Sequence, residues 1–460
     1  LNQHLYSDKI EKMKNKNFLS LIMILLIVAN LGAQSTTTLN EAINSALRNR
    51  DNIQAGAIDL ELQQLKTKAL YKKYGPQVTA EYNYNYNPIL QSSIIPVGIF
   101  NPALPPDATE NIQFGTTWSQ SAGISATQPL FDATIKKQIN ESRLQEKIRI
   151  ASQAQTEYEL AYAVSIAYLN IYLQQQQINS AIIDTARTRI SYQLQLEKYI
   201  AGSLLKSELN KAIINHNNTK QQLLDATILL VENKIYLLFL TGTIAGEAND
   251  FYIDTVFFNN NSLLVTDTKY SIDSIPILQQ LDFQQQLSLL QQQTERSKYI
   301  PVVSLNGFLG ANQYSNNFNP IESNTWFGYS YIGLNVKIPL LLAENRSNKI
   351  QQLEIQSVQY SKQMQDKSAQ FNQETRTASL EIERIENKLK TQEANLILYQ
   401  ESLTISQDRL KEGQITSFEL NNQEYALQQL LAEYENTKRQ MWLSRLSYLN
   451  TSGQLSKLWK

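Results

Sequence analysis

Cysteine is absent from the 460-residue chain. That removes disulfides, thiolate metal sites, thiol nucleophiles and an acylated amino terminus in one step. Histidine is almost absent, with only His4 and His216, too few for a histidine metal cluster or a histidine-centred triad. A single histidine on a helix, as at His216, reads as a solvated surface residue. Neither G-x-S-x-G nor H-E-x-x-H occurs, so an envelope hydrolase has no parts to build on. No catalytic residue, metal ligand or cofactor is expected. An excess of one charge is also missing: the formal net charge is -1, which points to neither a nucleic-acid partner nor an anionic membrane surface.

Long apolar runs are missing after Gln34. Before it, Met13, Lys14 and Lys16 precede an apolar run from Phe18 to Val28 and then Leu31-Gly32-Ala33. A basic segment, a short hydrophobic one and small residues form a signal peptide. Cleavage is expected after Ala33, with residues 1–12 read as translated upstream sequence. An exported chain without a spanning helix resides in the periplasm, outside the cell, or in the outer membrane as a barrel.

What is present is alternation. In "EYNYNYN", Glu81 to Asn87, Tyr82, Tyr84 and Tyr86 fall in phase with Val78 and Ala80, and asparagines fill the other face. Period two marks a strand whose faces meet different surroundings. Strands are expected at about 77–86, 118–128, 301–311 and 329–338. Trp118, Ala122, Ile124 and Ala126 oppose Ser119, Ser121, Ser125 and Thr127, while Ile332, Leu334, Val336 and Ile338 oppose Gly333, Asn335 and Lys337. A polar face with Glu81 and Lys337 suits a wet lumen better than a core. Four strands cannot close around water, so several protomers must share one barrel.

The pattern occurs twice. "KKYGPQVTAEYNY" at 72–84 returns as "SKYIPVVSLNGF" at 297–308. "ISATQPLFDATIKKQI" at 124–139 returns as "GLNVKIPLLLAENRSNKI" at 333–350, and "EKYIAGSLLKSELNKA" at 197–212 as "DRLKEGQITSFELNNQ" at 408–423. The order is kept, which implies a duplicated unit of helix, strand, strand, long helix and long helix. The domain reading is a first repeat over 34–242, an inter-repeat linker over 243–268 and a second repeat over 269–460.

The long segments carry apolar residues at steps of three and four, as at Leu160, Val164, Ala167, Ile171 and Ile178, and at Ile382, Ile385, Leu389, Leu396, Tyr399, Leu403 and Leu410. No glycine or proline interrupts Asp132 to Tyr199, room for a helix of about 100 Å. Such a helix needs parallel neighbours. Glutamine runs such as Gln174 to Gln177 are expected on solvated faces. Gly202 and Gly413 end long helices, and Ser207 with Glu208, or Ser417 with Glu419, suits the start of the next. The proline-rich segment 87–117 is expected as an exterior loop.

Taken in order, "TLNEAINSALRNRDNI" at 38–53, the paired helix-to-strand junctions "YGPQVTAEYNY" and "YIPVVSLNGF", the strand-to-helix junctions "QPLFD" and "IPLLL", and the tips "YIAGSLLKSEL" and "RLKEGQITSFEL" resemble the TolC-like outer membrane efflux proteins over almost the whole mature chain. The resemblance implies an α+β membrane protein. Each protomer gives four strands to a shared trimeric β-barrel, and its helices continue as a long periplasmic α-helical barrel. It implies the outer-membrane exit duct of a tripartite efflux system in a Gram-negative bacterium, a homotrimer in outer-membrane lipid. A periplasmic adaptor and an inner-membrane pump, of RND type in preference to ABC type, would be its partners. Drugs or other small solutes are the implied cargo, with a type I protein secretion channel as the alternative within the class.

By the same resemblance, Ile200, Ala201, Gly202, Ser203, Glu412, Gly413 and Gln414 would contact the adaptor, and Glu419 and Glu208 would narrow the aperture. Tyr82, Tyr84, Tyr86, Trp118, Ile332, Leu334 and Val336 would face lipid or its interface. Two positions depart from the family pattern: the second constricting acid falls on Lys211 and Asn422, and the basic latch on Leu204 and Ile415. From a different class, an exported coiled-coil stalk or adhesin would account for the heptads, but has no need of four amphipathic strands in duplicate.

Overall fold

The computed structural model describes residues 36–99, 103, 105–243, 251–255, 275–318, 326–340 and 346–459. The expected signal peptide and most of the inter-repeat linker lie outside these. The chain runs β1 (Thr36–Thr37), α1 (Leu39–Asn49), α2 (Asp51–Tyr71), β2 (Gln77–Tyr86), β3 (Gln91–Ile95), β4 (Glu110–Phe114), β5 (Trp118–Phe131), α3 (Ala133–Ile200) and α4 (Lys206–Thr241). It continues with β6 (Tyr252–Ile253), α5 (Pro276–Ser297), β7 (Val302–Ser315), β8 (Trp326–Lys337), α6 (Arg346–Lys411) and α7 (Ser417–Thr451). The long helices match in pairs: α3 and α6 have 68 and 66 residues, α4 and α7 have 36 and 35.

The chain divides into two units. The first, residues up to Gly56, Gln153–Pro276 and Lys367–Lys460, is helical around a main apolar core, with a smaller cluster at Ala378, Ile382, Ile385, Met441 and Tyr448. The amphipathic helix α1 buries Leu39, Ala42, Ile43 and Ala46 against Leu160, Ala161, Val164, Leu169 and Ile171 of α3, Leu237 of α4 and Leu446 of α7. Its start is fixed by a capping box. The Glu41 amide donates to Thr38 Oγ1 at 3.2 Å and the Thr38 amide to Glu41 Oε2 at 2.8 Å, which lowers the Glu41 pKa.

Tyrosine hydroxyls supply the polar anchors of this core. Buried Tyr168 lies within reach of the carbonyls of Thr37 and Asp254, at 2.8 and 2.7 Å, tying α3 to the parallel pair β1 and β6. Tyr158, its pKa pushed up to about 12 chiefly by burial, accepts from the Leu455 amide at 3.0 Å. Gln174 is buried and donates to the Ala226 carbonyl at 2.9 Å. This corrects the expectation of a solvated face: four consecutive residues span more than one helical turn, so one of the four must face inward.

The second unit comprises Ala57–Ser152 and Ile277–Asp366. Its main sheet has the order β2-β5-β7-β8, all antiparallel. β5 runs beyond its expected end because a bulge between Pro129 and Phe131 absorbs the missing amide of proline. The proline-rich segment contains an antiparallel pair, β3 with β4, where a plain loop was expected. Its helices meet through small polar side chains. Gln63 Nε2 donates to Ser142 Oγ at 2.9 Å, and the hydroxyls of Ser142 and Thr67 lie 2.8 Å apart. Thr67 also donates to Glu146, and Thr294 of α5 to Glu141 of α3.

Candidate functional site

Two places carry the candidate functional residues: the turns that join the long helices, and the main sheet.

Gly202 and Gly413 end α3 and α6 with φ of 73° and 72°, the left-handed region that glycine adopts without a Cβ penalty. Behind each, the same pair of hydrogen bonds closes the helix. Ser203 N donates to Lys198 O and Gly202 N to Tyr199 O, as Gln414 N donates to Arg409 O and Gly413 N to Leu410 O, all between 2.9 and 3.1 Å. Nothing lies within 4 Å of where a Cβ on either glycine would stand. Ile200 before the first turn is 77% exposed. Both turns therefore present open backbone, and the first adds an unburied apolar side chain, a surface that a partner can cover.

The two acids behave differently. Glu208 forms an exposed ion pair with Lys211 on its own helix, Nζ to Oε1 at 2.9 Å. Glu419 makes no ion pair among the described residues; its carboxylate accepts from the Thr416 amide at 2.9 Å, and its amide donates to Thr416 Oγ1 at 3.2 Å. Thr416, not Ser417, is the N-cap of α7, and Leu205, with no side-chain bond, is that of α4. The serines lie one and two residues inside their helices. Among the described residues, no hydrogen bond or ion pair joins Glu208 to Glu419.

Arg187 was not anticipated from the sequence. On α3 it reaches Glu424 of α7 at 3.6 Å, donates to Gln428 Oε1 at 2.9 Å and lies 3.8 Å from Asp184. Burial raises the Asp184 pKa, offset in part by the Arg187 charge and Gln428. No local spacing could have announced a pair between residues so far apart in sequence. His216 has Nδ1 3.2 Å from Thr188 Oγ1 and its ring parallel to Tyr192. No group of residues suited to a metal occurs among the described residues.

In the sheet, register decides which side chains share a face. Tyr82, Tyr84 and Tyr86 pair with Ala122, Gln120 and Trp118. Gly307, Leu305 and Val303 pair with Ile332, Leu334 and Val336, and the β5–β7 ladder links the two sets. All seven residues expected on one face therefore share it. Trp118 packs on Tyr84, Tyr86 and Phe318 with centroids 4.5 to 5.3 Å away, an aromatic cluster at one end of the face.

That face also holds an amide pair missed in the sequence. Gln120 Nε2 donates to Gln313 Oε1 at 2.6 Å, Tyr82 donates to Gln120 Oε1 at 2.6 Å, and both glutamines are buried. The available signal was a glutamine in phase with an apolar stripe. On the opposite face Thr79 meets Ser125 at 2.6 Å and Asn83 meets Ser121 at 3.4 Å. β2 and β8 are both edges. Their outer amides and carbonyls need a neighbouring strand if the sheet sits in lipid.

No helix among the described residues is long and apolar enough to cross a membrane. The profile of the family described as Outer membrane efflux protein matches residues 42–243 and 272–450. The chain belongs to this family. No curated protein matches it. Among solved structures it is similar to the outer membrane protein VceC of Vibrio cholerae, at 13% identity and a TM-score of 0.70, covering 90% of this chain and 96% of that one. The outer membrane channel CmeC of Campylobacter jejuni is similar at 14% identity and 0.70, covering 90% and 85%. The open state of the outer membrane channel MtrE of Neisseria gonorrhoeae is similar at 13% and 0.67, covering 91% and 89%. These likenesses establish the fold, a β-domain joined to a long helical barrel from a duplicated unit. Family membership makes the chain an outer-membrane efflux channel of a Gram-negative bacterium, the outer component of a tripartite pump. Channels of the family are passive trimers that work with an adaptor and an inner-membrane pump.

Proposed function

We propose that this channel passes drugs or other small solutes, delivered by a pump of the RND type, and catalyses no reaction itself. Near-neutral charge and membership of a family of outer-membrane efflux channels support a passive duct. The two stretches matched by the family profile, 42–243 and 272–450, support two repeats over 34–242 and 269–460 joined by a linker at 243–268. The aromatic and aliphatic face bearing Tyr82, Tyr84, Tyr86, Trp118, Ile332, Leu334 and Val336 would meet lipid and its interface, and the face bearing Glu81 and Asn83 would line water.

The helical turns would be the adaptor's docking points, through Ile200, Ala201, Gly202 and Ser203 and through Glu412, Gly413 and Gln414. Glu419 would narrow the aperture, since threefold symmetry would bring its three copies together at a constriction, where they attract cations. Glu208, tied to Lys211, would contribute less. The observation that carries this assignment is that Glu419 is exposed and lacks a cationic partner among the described residues. Single-channel recording in planar bilayers tests it. Glu419→Ala is expected to raise conductance and weaken block by divalent cations, Glu208→Ala to change both little, and unchanged conductance in Glu419→Ala would remove Glu419 from the gate.

A further inference from the structure

The sheet face that carries Glu81, Asn83 and Asn85 is not uniformly polar. Register puts Phe308, Tyr329 and Tyr331 on the same face: Ser125 pairs with Phe308, Phe308 with Tyr331, and Gly310 with both Gly123 and Tyr329. The Phe308 ring lies 4.8 Å from that of Tyr329 and 5.9 Å from that of Tyr331, with interplanar angles of 25° and 14°. Phe308 thus stacks with each tyrosine, and the three overlapping rings form a shingled aromatic floor.

Two glycines let the Phe308 ring lie close against the sheet. A Cβ at Gly310 would stand 2.6 Å from Phe308 Cζ, and one at Gly123 would stand 2.7 Å from Cε2, well inside contact distance. The Phe308 ring therefore reaches across the sheet over Gly123, whose partner on the next strand is Glu81. Facing positions on paired strands stand about 5 Å apart, so a carboxylate borders the aromatic floor. Glu81 makes no ion pair or hydrogen bond with any other described residue.

Covering two bare glycines would by itself account for Phe308. It leaves unexplained why Tyr329 and Tyr331, 45% and 54% exposed, extend the floor beside Glu81, on a face that also carries the exposed rings of Phe327 and Tyr314 among its Asn, Ser and Thr. Exposed aromatic area costs free energy in water unless something covers it. We infer that this floor and Glu81 form a binding site for planar aromatic cations, the ring stacking on Phe308, Tyr329 and Tyr331 and the positive charge resting beside the carboxylate. The inference rests on the reading that this face lines the lumen; three protomers would then present three such sites along the exit path.

The lack of cysteine makes the two questions separable. Single-cysteine variants Asn83→Cys and Ile332→Cys, in liposomes, are exposed to a membrane-impermeant thiol reagent. Modification of Asn83→Cys alone is expected, and modification of Ile332→Cys alone would overturn the lumen reading and the site with it. Ethidium is titrated by fluorescence anisotropy against the detergent-solubilised protein, with choline as a competitor that cannot stack. Saturable binding resistant to choline is expected, weakened about tenfold by Phe308→Leu and by Glu81→Gln. Glu81→Gln changes one exposed polar group and leaves the sheet packed, so it serves even if Phe308→Leu fails to fold. If only Asn83→Cys is modified yet ethidium fails to bind, or binds Glu81→Gln as tightly as the unaltered protein, the lumen reading survives and the site does not.

Discussion

Glu141 is a carboxylate on α3 over which α5 closes. Burial raises its pKa above the ordinary 4.5, opposed first by the hydroxyl of Thr294, then reinforced by Glu295 and offset by Lys298. Between 4.5 and the raised folded value, the folded protein holds a proton that the unfolded chain has released. Ionised Glu141 therefore lowers stability above that window, and the deficit disappears as pH falls below 4.5. Glu141→Gln is expected to raise the melting temperature at pH 7 by roughly a degree or two, with the gain vanishing near pH 4, measured by circular dichroism. At Gly413 the left-handed backbone has a direct cost: Gly413→Ala should destabilise the turn by about 1 kcal/mol and speed amide exchange across 409–416. Residues like Gly413 were legible because glycine after a long helix has few other uses. Gln120, Gln313 and Arg187 were not, because their roles come from partners distant in sequence.

Helices and strands were legible where a period was sustained. The alternation of Tyr and Asn over β2 and the uninterrupted stretch that became α3 are both set by which face must be apolar. β3 and β4 lacked a sustained signal: "QSSII" does not alternate, "ENIQF" alternates only from Asn111 to Phe114, and prolines surround them. Helix starts were placed one or two residues late, since serine and threonine stand side by side at α7 and only geometry selects Thr416. That cap gives a prediction for the element. Thr416→Ala removes the side-chain acceptor at the start of α7, costing about 1 kcal/mol, and hydrogen exchange in its first turn should accelerate. Leu205→Ala should leave the first turn of α4 unchanged, since Leu205 makes no capping bond.

For the whole molecule, the decisive feature is the sheet with two open edges. A ten-residue edge at β2 and a twelve-residue edge at β8 offer backbone groups that lipid cannot satisfy, and four strands cannot enclose water. Three copies joined edge to edge resolve both difficulties, in agreement with the family to which the chain belongs. The number of protomers was implied in the sequence only by resemblance; the strand count alone required sharing without fixing how many. Gate and docking residues were harder to read for the same reason, since their meaning depends on copies and partners that one chain does not contain.

The measurement that tests this most directly is the mass of the protein after detergent extraction from the outer membrane, determined by light scattering with the detergent contribution subtracted. A trimer is expected, released only by detergent, because each edge strand is paired in the barrel. A monomer extracted by aqueous buffer alone would contradict the shared barrel, and with it the placement of every lumen and lipid-facing residue.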